Sequence, residues 1–159
     1  IASLIARIFA ALLLIGASGI ALGQTPYGPP ITLDQAKKAM AAAEAEAKKN
    51  NWPVAIVIVD SGANMVMMQK LDNTQHASVD IARGKATTAV NLRRPTKALE
   101  DAIAAGGANL RLLAVNGVYP LEGGIPVVVD GKIIGAIGVS GVLSGQDAQC
   151  AAAGQNALK

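Results

Sequence analysis

Residues 122–141 read EGGIPVVVDGKIIGAIGVSG, two β-branched runs separated by Asp130-Gly131 and punctuated by glycines. An Asp-Gly pair between apolar runs predicts a two-residue type I′ hairpin, because that turn needs positive φ at both central positions. A phosphate cradle is the competing reading, and it fails on spacing. A dinucleotide fingerprint sets G-x-G-x-x-G between strand and helix, and a P-loop closes on Gly-Lys-Ser/Thr. Here Gly135, Gly138 and Gly141 recur every third residue with no such ending. Inside a strand, Gly135 and Gly138 serve close approach by a helix, a subunit or a ligand.

Upstream of the hairpin the pattern alternates helix and strand. Thr32, with Gln35 three residues on, predicts a capping box opening a helix whose buried stripe is Ala36, Ala39, Met40, Ala43 and Ala47. VAIVIVD (residues 54–60) is continuously apolar and predicts a central strand covered on both faces. A turn at 60–64 returns the chain as MVMMQKL, where strict alternation places Met65 and Met67 on one face and Met68 on the other. NTQHASVDIARGKATTAV follows at helical spacing, with Ser78, Ile81, Ala82, Lys85, Ala86 and Ala89 on one stripe and His76, Asp80, Arg83 and Thr87 on another. A short helix capped by Thr96 and stopped at Gly106-Gly107 comes next, then an irregular or short-stranded stretch, then the hairpin. Ser144 and Asp147 read as a second capping box opening the last helix. The order is helix, two strands, two helices, two strands, helix. Tight turns make the strand pairs antiparallel, so the fold class is α+β, a layered α/β sandwich.

Composition narrows the function. With 52% hydrophobic but 3% aromatic residues and a net charge of +3, the chain lacks the stacking platforms and basic runs of a nucleic-acid partner. Residues 1–23 carry Arg7, an apolar stretch, and Ala21 and Gly23 before Gln24, the layout of a cleavable secretory signal, with an uncleaved membrane anchor or a buried N-terminal helix as the alternatives. The expected organisation is therefore a signal peptide at 1–23, a Pro/Gly linker at 24–30 and one domain at 31–159, in the periplasm or secreted. A lone Cys150 among alanines excludes an intramolecular disulfide and reads as a small buried helix residue.

Side-chain catalysis is under-resourced. One His, no G-x-S-x-G elbow and no zinc-ligand spacing leave binding, or chemistry carried by a cofactor. His76 is the one imidazole available to an iron, with Asp80 a turn away to orient it; a plain solvated His is the alternative. Met65, Met67, Met68 and Tyr119 are weaker candidate ligands. Lys85 on an apolar stripe needs a counter-charge, either a carboxylate such as Asp72 or Glu122 or an acidic ligand, unless it snorkels to the helix edge. Arg93-Arg94 read as simple solvated charge or as a second cluster of anion donors. Gly141 and Gly145 flank Ser144 at a helix N-terminus, where an anion is attracted or where Ser144 and Asp147 satisfy the N–H groups themselves.

Several of these stretches together resemble one family. LDNTQHASVDIARGKATTA is similar to the M-D-G-A-x₄-S-x-x-x-A-x-x-K-A-x-T-A segment of the GlcG/HbpS-like proteins, and RRPT, PLEGGIPVVVDGKIIGAIGVSG and SGQD…AAAG follow in the family's order. The similarity runs from about Ile31 to about Ala157. That family is described as haem-binding or haem-degrading and is related to the C-terminal domain of some corrinoid adenosyltransferases. The resemblance implies a profilin-like sandwich with a central antiparallel sheet, a homo-oligomer, and a tetrapyrrole ligand, haem ahead of a corrinoid. The expected cleft is lined by Ser78, Lys85, Glu122, Gly123, Gly124, Ser140 and Gly141, with Arg94 and the metal ligand His76 nearby. The expected function is an exported haem-binding oligomer supporting haem degradation or iron/redox sensing. Two alternatives stand beside it: an enzyme or accessory protein acting on a small organic acid such as glycolate, held by Lys85 and the arginines, and a sensory or structural oligomer partnering an extracytoplasmic receptor.

Overall fold

The computed structural model describes residues 24–159; the expected signal segment lies outside them. The elements are α1 (Leu33–Lys49), β1 (Ala55–Asp60), β2 (Met65–Lys70), α2 (Ser78–Leu92), α3 (Thr96–Ala105), a 3-10 helix (Gly107–Ala114), β3 (Gly124–Val129), β4 (Lys132–Ser140) and α4 (Ser144–Asn156). The four strands form one antiparallel sheet in the order β2-β1-β4-β3. The expected hairpin is there. Val129 pairs with Lys132, and Asp130 and Gly131 take φ of 49° and 71°, as a type I′ turn requires.

The sheet sits between two helical layers. Val54, Ile56, Ile58, Ile137 and Val139 pack under α1 and α4, while Ala55, Val57, Val59 and Ala136 pack under α2. The period-two alternation of β1 therefore feeds two cores, which is why its sequence is apolar throughout. The Thr32 capping box forms as expected, with the Gln35 N–H donating to Thr32 Oγ1 at 3.2 Å and the Thr32 N–H to Gln35 Oε1 at 2.9 Å. No helix of the described residues is long and apolar enough to cross a membrane.

The strand glycines mark where α2 lies on the sheet. Gly124 and Gly138 are cross-strand partners. A Cβ on Gly138 would stand 2.1 Å from the Ala82 carbonyl oxygen and 2.6 Å from the Ala86 nitrogen, and one on Gly124 would stand 2.4 Å from the Lys85 carbonyl oxygen. Helix backbone thus rests directly on sheet backbone, with Ala82, Ala86 and Ala89 completing the contact.

Local expectations fail at four places. Helix α2 begins at Ser78, so His76 lies in the turn before it. Thr96 is inside α3 rather than capping it: Pro95 takes the cap position, and the buried Thr96 Oγ1 accepts the Gly124 N–H at 2.9 Å. Leu143, not Ser144, precedes α4, and Gln146 Oε1 accepts the Leu143 N–H at 3.2 Å. A register shift between Ile58 and Val59 breaks the alternation of β2. Val66 and Met67 both turn toward the α1/α4 core, leaving Met65 and Met68 exposed.

Gly138→Ala is expected to lower stability by at least the roughly 1–3 kcal/mol typical of overpacking. Gly145→Ala, where an added Cβ meets nothing within 4 Å, should be neutral or slightly stabilising. Equal denaturation midpoints for the two variants would contradict the seating of α2 on the glycines.

Candidate functional site

Close seating of α2 brings six of the expected site residues together, in a buried cluster. Lys85 is 2% exposed, and its Nζ donates to the Val139 carbonyl and to Asp147 Oδ2, both at 2.9 Å. Asp147 Oδ1 accepts the Val142 N–H at 3.2 Å, tying the β4–α4 loop to the same carboxylate. Gly123, at φ 125°, leaves room for the ammonium: a Cβ there would lie 2.9 Å from Nζ. Ser140 Oγ and Ser78 Oγ bond to each other at 3.3 Å. Gly141 lies against the Pro53 carbonyl, 2.2 Å from where its Cβ would be. The expected open cleft is therefore filled by protein. The counter-charge of Lys85 is Asp147, not Asp72 or Glu122, and its side chain does not snorkel.

Burial raises the Asp147 carboxyl above its ordinary value, with the Lys85 ammonium and the loop N–H groups pulling it part of the way back. A folded pKa above the unfolded one means that ionisation of this group weakens the fold. Its contribution is greatest below the unfolded value of about 3.9 and declines as pH rises through the folded one. Because taking two charges out of water offsets much of their mutual attraction, a buried pair of this kind serves as a positional lock more than as a net source of stability.

The remaining expected residues lie outside the cluster. His76 is exposed. Ser78 contacts Ser140 at one end of β4, and Ile133 is near the other end. His76, two residues before α2, therefore lies toward the opposite end of β4 from Ile133. Arg94 is exposed and donates Nε–H to the Leu92 carbonyl. Glu122 is half-buried, its N–H bonded to the Glu100 carboxylate beside α3. Cys150 is fully buried, its thiol pushed up to about 12 by desolvation, and so is a poor metal ligand. No group of three or more His, Cys, Asp or Glu able to hold a metal occurs among the described residues.

Two surface depressions have the chemistry of binding sites. One, about 370 Å³, lies between edge strand β3 and α4, with Ile125, Pro126, Val128 and Ile133 as an apolar wall and Arg93 and Lys159 beside it. Arg93 ends α2 in the left-handed conformation at φ 52°, and its guanidinium lies 4.4 Å above the Tyr27 ring. The other, about 400 Å³, lies on the outer side of α2 and is polar, lined by Asp80, Arg83, Thr87 and Tyr119. Tyr119 is seated on Gly84, where a Cβ would meet its ring at 2.4 Å, and its N–H bonds Thr88 Oγ1 at 2.8 Å. Sequence reasoning missed the β3–α4 groove, because alternation shows that β3 has two faces but not that one of its rims stays uncovered.

Comparison with known proteins decides the family. The family model described as haem degrading protein HbpS-like matches residues 31–156. The chain belongs to the HbpS-like family. Protein GlcG of Escherichia coli K12 is 39% identical to this HbpS-like chain over 110 residues, covering 69% of the chain and 81% of GlcG. HbpS of Streptomyces reticuli, solved as a double mutant, superposes with a TM-score of 0.76 at 33% identity, over 86% of this chain and 92% of that one. PduOC, solved as a complex with haem, superposes with a TM-score of 0.75 at 26% identity, over 82% and 96%. The layered α+β fold expected from the sequence is the fold of these relatives.

Removing one partner from the buried pair of this HbpS-like domain should be far costlier than replacing both. Lys85→Ala is expected to lose about 3–5 kcal/mol by stranding the carboxylate, whereas Lys85→Met with Asp147→Leu should lose much less. Chemical denaturation measures both. A double variant as unstable as the sum of its singles would contradict the lock.

Proposed function

We propose that the protein binds haem, with the β3–α4 groove as the seat on each chain. What carries the reading is an apolar wall flanked by cations, within a fold shared with a protein solved in complex with haem. A tetrapyrrole presents a flat apolar face and two propionates. Ile125, Pro126, Val128 and Ile133 would exclude water from the face, and Arg93 and Lys159 would pair with the carboxylates. Tyr27, stacked under Arg93 and donating its hydroxyl to the Val90 carbonyl at 2.8 Å, holds that guanidinium in place. Bound haem supplies the iron chemistry; the chain supplies binding and orientation. His76 would be the strongest nitrogen donor to the iron, and because it is not among the residues lining the groove, that donor would come from a neighbouring copy. The proposal therefore includes a homo-oligomer. It also includes export through residues 1–23, which an N-terminus at Gln24 in material from the native source would support and a retained apolar segment would refute.

A second reading has its own observation. Among the described residues the ion pairs are Lys48–Glu44, Lys85–Asp147 and Lys97–Asp101, so Arg83 faces the polar α2 cleft unpaired. A small carboxylate would find its donor there and not at the occupied Lys85.

Haemin titration followed by absorption separates these readings. The parent should develop a Soret band with saturable binding. Arg93→Ala should weaken affinity about tenfold, the loss of one charged hydrogen bond, and His76→Ala should shift the band position. Absence of saturable binding would sink the haem reading. Binding indifferent to Arg93→Ala and to Ile125→Asp would remove the groove as its seat.

A further inference from the structure

From Thr96 to Glu122 the chain forms an arm, α3 followed by the 3-10 helix, that the rest of the molecule holds mainly at its base. Thr96 bonds Gly124, the Glu122 N–H bonds the Glu100 carboxylate, and Tyr119 sits on Gly84. Leu99 of α3 is also buried, but among the described residues the 3-10 helix beyond it lies open. The 3-10 helix has eight residues and not one of them is buried. Runs of this helix longer than three or four residues are uncommon, because its hydrogen bonds are poorly aligned. Leu110, Leu113, Val115 and Leu121 are 48%, 65%, 49% and 42% exposed, a concentration of large apolar side chains on one short segment.

We propose that this arm is the surface through which two copies of the chain associate. The inference rests on the reading of the protein as a homo-oligomer and names the interface. Charge favours a second copy over other occupants. Arg111 is the only charged residue between Gly106 and Leu121, which is too little cation for an anionic membrane surface. A two-fold interface must be self-complementary, with each patch supplying both signs. Arg111 and Glu122 are opposite charges on the arm, and neither belongs to an ion pair among the described residues. Lys97 is already matched by Asp101 within α3. The exposed side chains of the arm do not line the β3–α4 groove, so a second copy could cover them and leave the groove open. Burial against a twin would cover the four exposed side chains and hold the 3-10 helix from outside.

The test is molar mass by light scattering across micromolar concentrations, on the full chain. The parent should give a multiple of the chain mass, and Leu110→Asp with Leu113→Asp should reduce it with at least a tenfold weaker association constant. Because two buried-interface charges can also disturb folding, a charge-swap pair accompanies them. Arg111→Glu should weaken association, and adding Glu122→Arg should restore it, with circular dichroism unchanged throughout. A parent that is monomeric overturns the oligomer and the arm together. An oligomeric parent whose mass is untouched by both sets of variants overturns the arm alone and leaves the oligomer standing. A monomeric parent that pelts down with phosphatidylglycerol vesicles through Leu110 and Leu113 assigns the arm to a membrane and likewise overturns the proposal. Haemin affinity, measured on the same samples, reports separately on the haem reading.

Discussion

A lysine ammonium with almost no access to water needs a carboxylate, and where that carboxylate comes from fixes the arrangement of this domain. Lys85 projects from the middle of α2, and Asp147 comes from the first turn of α4, in the opposite helical layer. Their pair passes the end of β4, taking the Val139 carbonyl on the way. The two helical layers are thereby registered against each other and against the sheet. The geometry works only because α2 lies so low, and α2 lies so low only because Gly124 and Gly138 carry no side chain. A buried ion pair of this kind adds little net stability and contributes chiefly to specifying one arrangement.

The parts legible in the sequence are those decided locally. Asp130-Gly131 names its own turn, Thr32 and Gln35 name their own cap, and the alanine stripe of α1 names its buried face. Thr96 and Ser144 look equally like caps, yet tertiary partners claim the first for Gly124, and a loop shift leaves Leu143 in place of the second. The Lys85 position shows that a counter-charge is needed. Which acid supplies it depends on packing across 62 residues of chain, and nothing local marks Asp147 above Asp72 or Glu122. The bulge in β2 is invisible for the same reason, since alternation assumes an unbroken ladder. The uncovered 3-10 arm follows a pattern that suits neither helix nor strand.

A consequence for function is that the residues carrying the family resemblance and the surfaces able to bind a ligand are largely different. Ser78, Lys85, Gly123, Gly124, Ser140 and Gly141 are spent on seating α2 and locking α4. The exterior carries an apolar groove beside Arg93 and a polar cleft beside Arg83, the places the proposed ligands would occupy. In such a scaffold the lock can stay constant while groove and cleft change what is bound.

Backbone amide NMR of the protein titrated with a diamagnetic zinc protoporphyrin tests this division most directly. Shifts concentrated at Arg93, residues 125–133 and the last turns of α4, with the amides of Ser78, Lys85, Ser140 and Asp147 unmoved, are the expected result. Shifts centred on those four residues, with the β3–α4 groove silent, would show that the buried lock opens to take the ligand and would contradict the account.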